Sequence, residues 1–533
     1  MTGHTTGTTM PFRRHQPPSE CEVLIVGGGP VGLFTAALLD AEGIAVTVLE
    51  QRSGPSEHSK GATVHPRTLE VLNVLRDSGG RGLGDALAAQ GTRNSGTHFA
   101  LLPSLLDYSA LPTRFPFVLL VPQARTERLL LDHLLEHGVP VLYEHHVNAV
   151  TQGEDGVRAR FGCRVSRARY LVGADGAHSL VRKQARIEFR GAPATMLSFV
   201  ADVQLDDPPP HPVQYWDPET GTLSVIPLPD GQHRLYGAEP TDTRLSPEQV
   251  ASRNRGGPTR QQLHDAMRRI TGTDFELREA VWTSQVTDAT RYVVQHRAGR
   301  IFLAGDSAHV HFPAGGQGLN AGLQDAANLA WKLAAEVRGR APQHLRDGPT
   351  SYHNERGPIA RRLTLNTLAQ TAVMYNFSPA GAALRDLLST LIAREPGTAG
   401  QLAGWLSGLT VHYPPPQDTH PLVGRRMPDP DLLDRLRPGR FLLAGPTGTC
   451  QASDFPEHTI DVAHLPLDGV DASAVLVRPD GHVANAWTDA TADPHSIRTA
   501  WAHWTGAAHP AWPADPRATP HRPRHTWPAR NEA

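Results

Sequence analysis

Apolar residues in this chain come in short runs, each followed by a glycine-rich turn and a longer amphipathic segment. Val23-Leu-Ile-Val26 is uninterrupted apolar sequence, as a strand buried on both faces requires. It runs into Gly27-Gly-Gly-Pro-Val-Gly32 and an apolar helical segment through Leu39. Residues 45–49 repeat the strand pattern and end in Glu50. The same order recurs downstream: an apolar strand at 301–304, Gly305-Asp306, a glycine-rich loop at 313–320, then a long helix through Lys332. Between these units, residues 195–203, 221–227 and 233–238 read as strands, within a segment that is mostly strand. Residues 365–408 read as helical, with Leu384, Leu387, Leu388, Leu391 and Ile392 on one face for core or subunit packing. Residues 440–445 form another strand, and 474–484 read as a hairpin turning at Pro479-Asp480-Gly481. Residues 1–20 show no periodic apolar face and read as a flexible tail, and the Pro-, Arg- and His-rich 512–533 as a disordered one.

The spacing Gly27-x-Gly29-x-x-Gly32, between a strand and a helix, is that of a dinucleotide-binding turn. The first glycine makes the turn, the second admits a pyrophosphate, and the third lets helix pack on strand. Glu50 ends the next strand at the distance expected of an acid that holds a ribose. This turn alone suits FAD or NAD equally. Asp306, at the end of a buried strand, can hold the hydroxyls of a sugar-like chain, which tips the reading to FAD. Gly315, Gly316 and Gly318 let backbone approach a flat ligand, and the following helix start offers free N–H groups and a positive dipole end to an anion.

Together these blocks resemble the group A FAD-dependent aromatic hydroxylases, the para-hydroxybenzoate hydroxylase and phenol hydroxylase-like family, in its aromatic-polyketide monooxygenase branch. Residues 168–182 resemble that family's Asp-Gly motif, used for both FAD and NADPH, with Asp175, Gly176, Ser179 and Arg182 in matching places. Residues 59–70 and 121–128 look like family segments, and 420–428 resembles the linker into a C-terminal domain. The resemblance implies an α/β FAD-binding Rossmann-like domain of glutathione-reductase type, a β-sheet substrate domain and a C-terminal thioredoxin-like domain. The expected segments are the FAD domain at 21–185 and 285–409, the substrate domain at 186–284 and the thioredoxin-like domain at 410–511.

The cofactor set implied in this way is Gly27, Gly29, Pro30, Gly32, Glu50, Gln51, Arg52, Lys60, Gln123, Asp175, Gly176, Gly305, Asp306, Pro313, Gly316, Gly318, Leu319 and Asn320. The backbone of Pro313, Gly315 and Gly316 is expected to face the flavin C4a and the O2 side. Gln123 matches a glutamine near the ribityl-phosphate. Lys60 stands where many relatives have arginine. Arg125 either reaches the pyrophosphate or faces water. A histidine is common at His309, where it is structural; neither it nor His311 is expected to be catalytic. Phe312 and Ser307 depart from the usual proline and alanine, and the bulky Phe312 ring is expected to reshape either the flavin's movement or the pocket wall. Tyr215, Trp216 and Tyr236 are the candidates to stack on substrate.

The activity implied is hydroxylation of a polycyclic aromatic, polyketide-type substrate in secondary metabolism. NADPH, or less favourably NADH, would reduce FAD, and O2 would be used through a flavin C4a-hydroperoxide. The same chemistry permits Baeyer–Villiger oxidation, oxidative ring cleavage or rearrangement, or inactivation of an antibiotic. A flavin-holding binding protein is disfavoured by the intact Asp175-Gly176 motif, and a halogenase by the lack of a Trp-x-Trp-x-Ile-Pro signature.

Composition narrows the partners. The 533 residues are 39% hydrophobic, enough for two or three cores, and the net charge of −2 gives no nucleic-acid footprint. Cys21, Cys163 and Cys450 lie far apart, so neither a metal site nor a disulfide framework is expected, and the C-terminal domain lacks the Cys-x-x-Cys of dithiol chemistry. No apolar run has the length of a membrane span. The expectation is a cytoplasmic monomer or homodimer.

Overall fold

The computed structural model describes residues 20–507, except 59, 255, 417–418, 447–449, 457–458, 466, 468 and 489–491. Both expected tails lie outside the described residues, save Glu20, which opens the first strand.

An eight-stranded sheet organises the molecule. Its path runs through Arg297–Ala298, Ile301–Leu303, Arg164–Gly173, Glu20–Val26, Val46–Leu49 and Val141–Leu142, with Val147–Gly153 and Gly156–Phe161 branching from it. The central pairings are parallel: Ile25 lies opposite Val172 on one side and Val48 on the other. Parallel strands are covered on both faces, which is why Val23, Leu24 and Ile25 are fully buried. The helices Pro30–Ala41 and Gln317–Val337 pack together over this sheet, and Gly322 lies against Val31 and the backbone of Gly305.

A separate antiparallel sheet holds Val213–Asp217, Gly221–Pro227, His233–Ala238, Leu197–Leu205 and Leu277–Thr287 in that order. Its last strand runs past residue 284. Two helices, Pro247–Arg253 and Arg260–Thr271, interrupt the segment read as mostly strand. Each begins with a reciprocal side-chain cap, Ser246 with Gln249 and Thr259 with Gln262.

The helical region consists of Tyr352–Met374, Pro379–Arg394 and Pro396–Ser407. Its apolar stripe divides: Ile392 is 5% exposed, whereas Leu384, Leu387 and Leu391 are 39, 58 and 40% exposed.

Beyond residue 420, strands Ile460–His464, Phe441–Gly445, Ala474–Val477 and Val483–Trp487 form a sheet in that order, followed by the helix Pro494–Thr505. The first pair is parallel and the others antiparallel. Trp331 of the long helix packs edge-on against Phe441, so the two units share one core. The hairpin tip enters a buried charge cluster. Arg478 bonds both oxygens of Glu355 at 2.6 and 2.8 Å, Lys332 reaches Glu355 at 2.6 Å, and Arg67 bonds the carbonyl of Asp480.

Candidate active site

The glycine turn is shaped by three different constraints. Gly27 has φ +112°, and a Cβ there would collide with the carbonyl oxygen of Ala174. A Cβ on Gly32 would collide with the carbonyl oxygen of Gly27. Around Gly29 no other group lies within 4 Å of that position, so its backbone faces open cleft. A turn closed at its ends and open at its middle residue fits a pyrophosphate laid along the start of the Pro30 helix.

Glu50 is buried beside the turn. Its Oε2 accepts the Gly28 N–H at 2.6 Å, and Oε1 accepts the backbone N–H and Nε of Arg52 at 2.9 and 3.0 Å. Burial pushes this carboxyl up, but Arg52 and the Gly28 N–H outweigh it and hold it below its ordinary value. Arg52 is fixed in turn by Glu127 at 2.9 Å. Gln51 turns to His146 at 2.9 Å, and Arg125 donates to the carbonyl of Gln90 at 2.8 Å.

At the second glycine turn, Gly305 has φ +62° and lies against Val31. Ser307 donates to the carbonyl of Gly173 at 2.6 Å, and Arg182 donates to the carbonyl of Ser307 at 2.9 Å. Asp306 is the turn residue that opens to the cleft, and its carboxylate bonds none of the described residues. Enclosure by surrounding protein raises its pKa, against the pull of His309 and Lys60. An unpartnered carboxylate here fits a chain of hydroxyls. Asp175 is differently placed: it accepts Ser179 Oγ at 2.6 Å and the Val181 N–H at 3.0 Å, so it stabilises the start of its own short helix, with Gly176 beside it at φ +78°.

The loop from Pro313 to Asn320 is clasped to segment 60–65. Gly315 and Gly316 both have φ +65°, which lets the chain turn sharply into the helix Gln317–Val337. Asn320 Nδ2 donates to the carbonyls of Thr63 and Gly316 at 3.0 and 2.7 Å, and its Oδ1 accepts the His65 N–H at 2.8 Å. His65 Nε2 meets the Gly315 carbonyl at 2.7 Å, while Nδ1 faces the Tyr108 hydroxyl at 3.4 Å. Burial lowers the His65 pKa to about 4, so the ring is neutral at neutral pH. Nε2 must then carry the proton to donate to a carbonyl, leaving Nδ1 to accept from Tyr108. His65 lay inside a recognised motif, but nothing local marked it as a loop anchor. Gly318 faces His311, which bonds the carbonyl of Phe312 at 2.7 Å, and Leu319 packs on the main core.

Lys60 and Gly61 are held from the other side by the separate sheet. Lys60 Nζ donates to the Gln285 carbonyl at 2.8 Å, Tyr236 to the Lys60 carbonyl at 2.7 Å, and Arg234 to the Gly61 carbonyl at 3.0 Å. Gln123 N–H donates to the same Gly61 carbonyl at 3.0 Å. Arg234 is itself fixed by two bonds of 2.7 Å to Asp202.

Of the aromatic candidates, Tyr236 thus grips the Lys60 segment. Trp216 donates to the Met374 carbonyl at 2.8 Å and stacks on Phe377 at 5.7 Å. Tyr215 points to the other face and meets Phe275 at 6.3 Å. The structure therefore does not bring the three rings together. An apolar cluster between loop and sheet instead combines buried Phe312, Tyr108 and Tyr375 with half-buried Phe99, Tyr236 and Trp282. Phe312 meets Tyr375 edge-on at 5.2 Å, and Trp282 stacks with His58 at 5.9 Å.

Comparison with known proteins gives a consistent picture. Residues 20–367 match the FAD binding domain family, and 420–508 match the aromatic-ring hydroxylase C-terminal family. The chain is 39% identical to the uncharacterized aromatic compound monooxygenase YhjG of Bacillus subtilis, over 88% of this chain and 95% of that protein. It is 36% identical to the 12-dehydrotetracycline 5-monooxygenase/anhydrotetracycline 6-monooxygenase of Streptomyces rimosus, over 88% and 95% respectively. Its fold is similar to that of the OxyS anhydrotetracycline hydroxylase from Streptomyces rimosus, with TM-score 0.80 and 34% identity over 92% of this chain and 100% of that one.

Proposed function

Because this chain belongs to the FAD-dependent aromatic-ring hydroxylases and is a monooxygenase of that family, we propose that it hydroxylates a polycyclic aromatic substrate with NADPH and O2. The observation that carries the reading is the unpartnered Asp306 carboxylate, opening to the cleft from a turn packed on the first helix. The tetracycline compounds named for the Streptomyces rimosus relative support a polycyclic substrate.

In this reading Gly29 and the start of the Pro30 helix hold the pyrophosphate, and Glu50 holds the ribose. Asp306 takes the ribityl hydroxyls, with Gln123 and Lys60 at the neighbouring phosphate end. Gly176 and Asp175 shape the turn beside it. The flavin, when bound, supplies electron acceptance from the nicotinamide and activation of oxygen. The protein supplies placement, dryness and charge. The backbone of Pro313, Gly315 and Gly316 lines the oxygen side, and the helix beginning at Gln317 favours negative charge on the adjoining ring edge. Phe312, Tyr375 and Trp282 form an apolar wall against which a flat ring system lies and from which water is excluded. We read the large sheet as Rossmann-like, from its parallel strands around Glu20–Val26. The C-terminal unit is read as thioredoxin-like, from its one parallel and two antiparallel pairings and its closing helix.

The test is NADPH oxidation by the flavin-loaded protein, with and without a panel of polycyclic phenols and quinones, followed by product mass. Substrate-stimulated oxidation with a product heavier by one oxygen on an unbroken ring skeleton is expected. No stimulation by any member, with flavin bound, would overturn the reading.

A further inference from the structure

We propose that Asp325 is a positioning residue for the flavin site, and that through Arg356 and Tyr413 it makes flavin retention depend on the C-terminal domain. The proposal rests on the assignment of Asp306 to the ribityl chain. Asp325 lies on the third turn of the helix Gln317–Val337 and is 1% exposed. Its Oδ2 accepts the Gly305 N–H at 3.2 Å and His309 Nε2 at 2.7 Å, while Oδ1 accepts Arg356 Nε at 2.6 Å. One buried carboxylate therefore fixes the residues on both sides of Asp306, the group that opens to the cleft. A shift in Asp325 would move the Gly305 N–H and re-aim Asp306. His309 Nδ1 has no hydrogen-bond partner among the described residues, so the ring's polar tie is to Asp325 alone.

Arg356 carries the connection outward. Its Nη2 donates to the Ala321 carbonyl at 3.2 Å, and its Nη1 to the Tyr413 hydroxyl at 3.4 Å. The Tyr413 ring lies 4.3 Å from His482 and beneath the Arg478 guanidinium at 5.1 Å, both on the C-terminal hairpin tip. Arg356 and its sequence neighbour Glu355 thus face two ways, Arg356 to the flavin turn and Glu355 to Arg478. Burial disfavours every charge in this chain of contacts, so each holds only while its partner is in place. For Asp325, burial pushes the carboxyl up, but Arg356 and His309 outweigh it and hold it ionised well below its ordinary value.

The test compares His309→Leu with His309→Gln, Tyr413→Phe and Asp306→Ala, measuring FAD affinity and dissociation rate alongside the melting temperature of the flavin-free protein. Leucine fills the space without a donor, whereas glutamine places an amide N–H near the former Nε2. Expected is a loss of FAD affinity of about tenfold for His309→Leu, whose apoprotein melts lower because Asp325 loses a buried partner, with both affinity and melting restored by His309→Gln. Tyr413→Phe should speed FAD release by about threefold. Wild-type affinity in His309→Leu, or equal loss in both His309 variants together with a lowered apoprotein melting temperature, would overturn the positioning role. An unchanged release rate in Tyr413→Phe would remove the C-terminal link. Asp306→Ala separates the premise from the proposal: if it keeps wild-type FAD affinity, the ribityl assignment itself is wrong.

Discussion

The backbone N–H of His65 donates to the side-chain oxygen of Asn320 at 2.8 Å, joining two segments 255 residues apart in sequence. Asn320 also donates to the Thr63 and Gly316 carbonyls, so one buried amide holds three backbone groups. Leaving such groups unpaired costs about 1–3 kcal/mol each. Asn320→Ala is therefore expected to release the loop at Gly315–Gly316 and lower FAD affinity by about tenfold or more, read by quenching of flavin fluorescence on titration. Unchanged affinity would mean the clasp does not shape the flavin site.

The glycine turn offers a paired comparison. Gly29 has open space where a side chain would begin, whereas a side chain on Gly32 would strike the Gly27 carbonyl. Gly29→Val is expected to give a folded apoprotein with normal melting and no bound FAD. Gly32→Ala should lose both FAD and about 1–3 kcal/mol of stability through overpacking. Equal melting losses in the two variants would contradict the assignment of Gly29 to the ligand side.

Acid sensitivity follows from three buried histidines. Burial lowers His65 and His482 to about 4 and His296 to about 3, from an ordinary value near 6.5. Between those values the unfolded chain binds protons that the folded chain refuses, so stability is full above about pH 6.5 and falls as the pH drops toward 4. Melting temperatures from about pH 7.5 down to 4.5 should decline steadily below 6.5. A flat profile would mean that these rings are solvated in the folded protein.

Cys450 is buried, and desolvation pushes its thiol up to about 11. A thiol held protonated is a poor nucleophile, and all three cysteines are free. Cys450→Ser should leave substrate-stimulated NADPH oxidation within about twofold of the parent rate, with any change confined to melting. A large rate loss at unchanged melting would reopen a redox role for the C-terminal domain.

What could be read in the sequence was local chemistry. The contrast between Gly27, Gly29 and Gly32 depends on backbone conformation and near neighbours, and the spacing alone carries it. The caps Ser246-x-x-Gln249 and Thr259-x-x-Gln262 are equally local signals, set among strands whose apolar pattern dominates that segment. Partnerships across long loops left no such trace. Nothing near His65 points to Gly315, and nothing near Tyr236 points to the Lys60 carbonyl. Aromatic character makes Tyr215, Trp216 and Tyr236 candidates to stack on substrate, but strand alternation sends Tyr215 and Trp216 to opposite faces.

The buried hairpin tip bears on how such proteins can be recombined. Arg478 and Asp480 meet Glu355 and Arg67 in a water-poor interior, so the C-terminal unit is not a detachable cassette. A chimera that grafts this unit from a relative would strand uncompensated ions on both sides of the seam. Only a donor carrying a cation at 478 to meet the acid at 355 should yield a folded hybrid, and in any lineage this pair is expected to be inherited together.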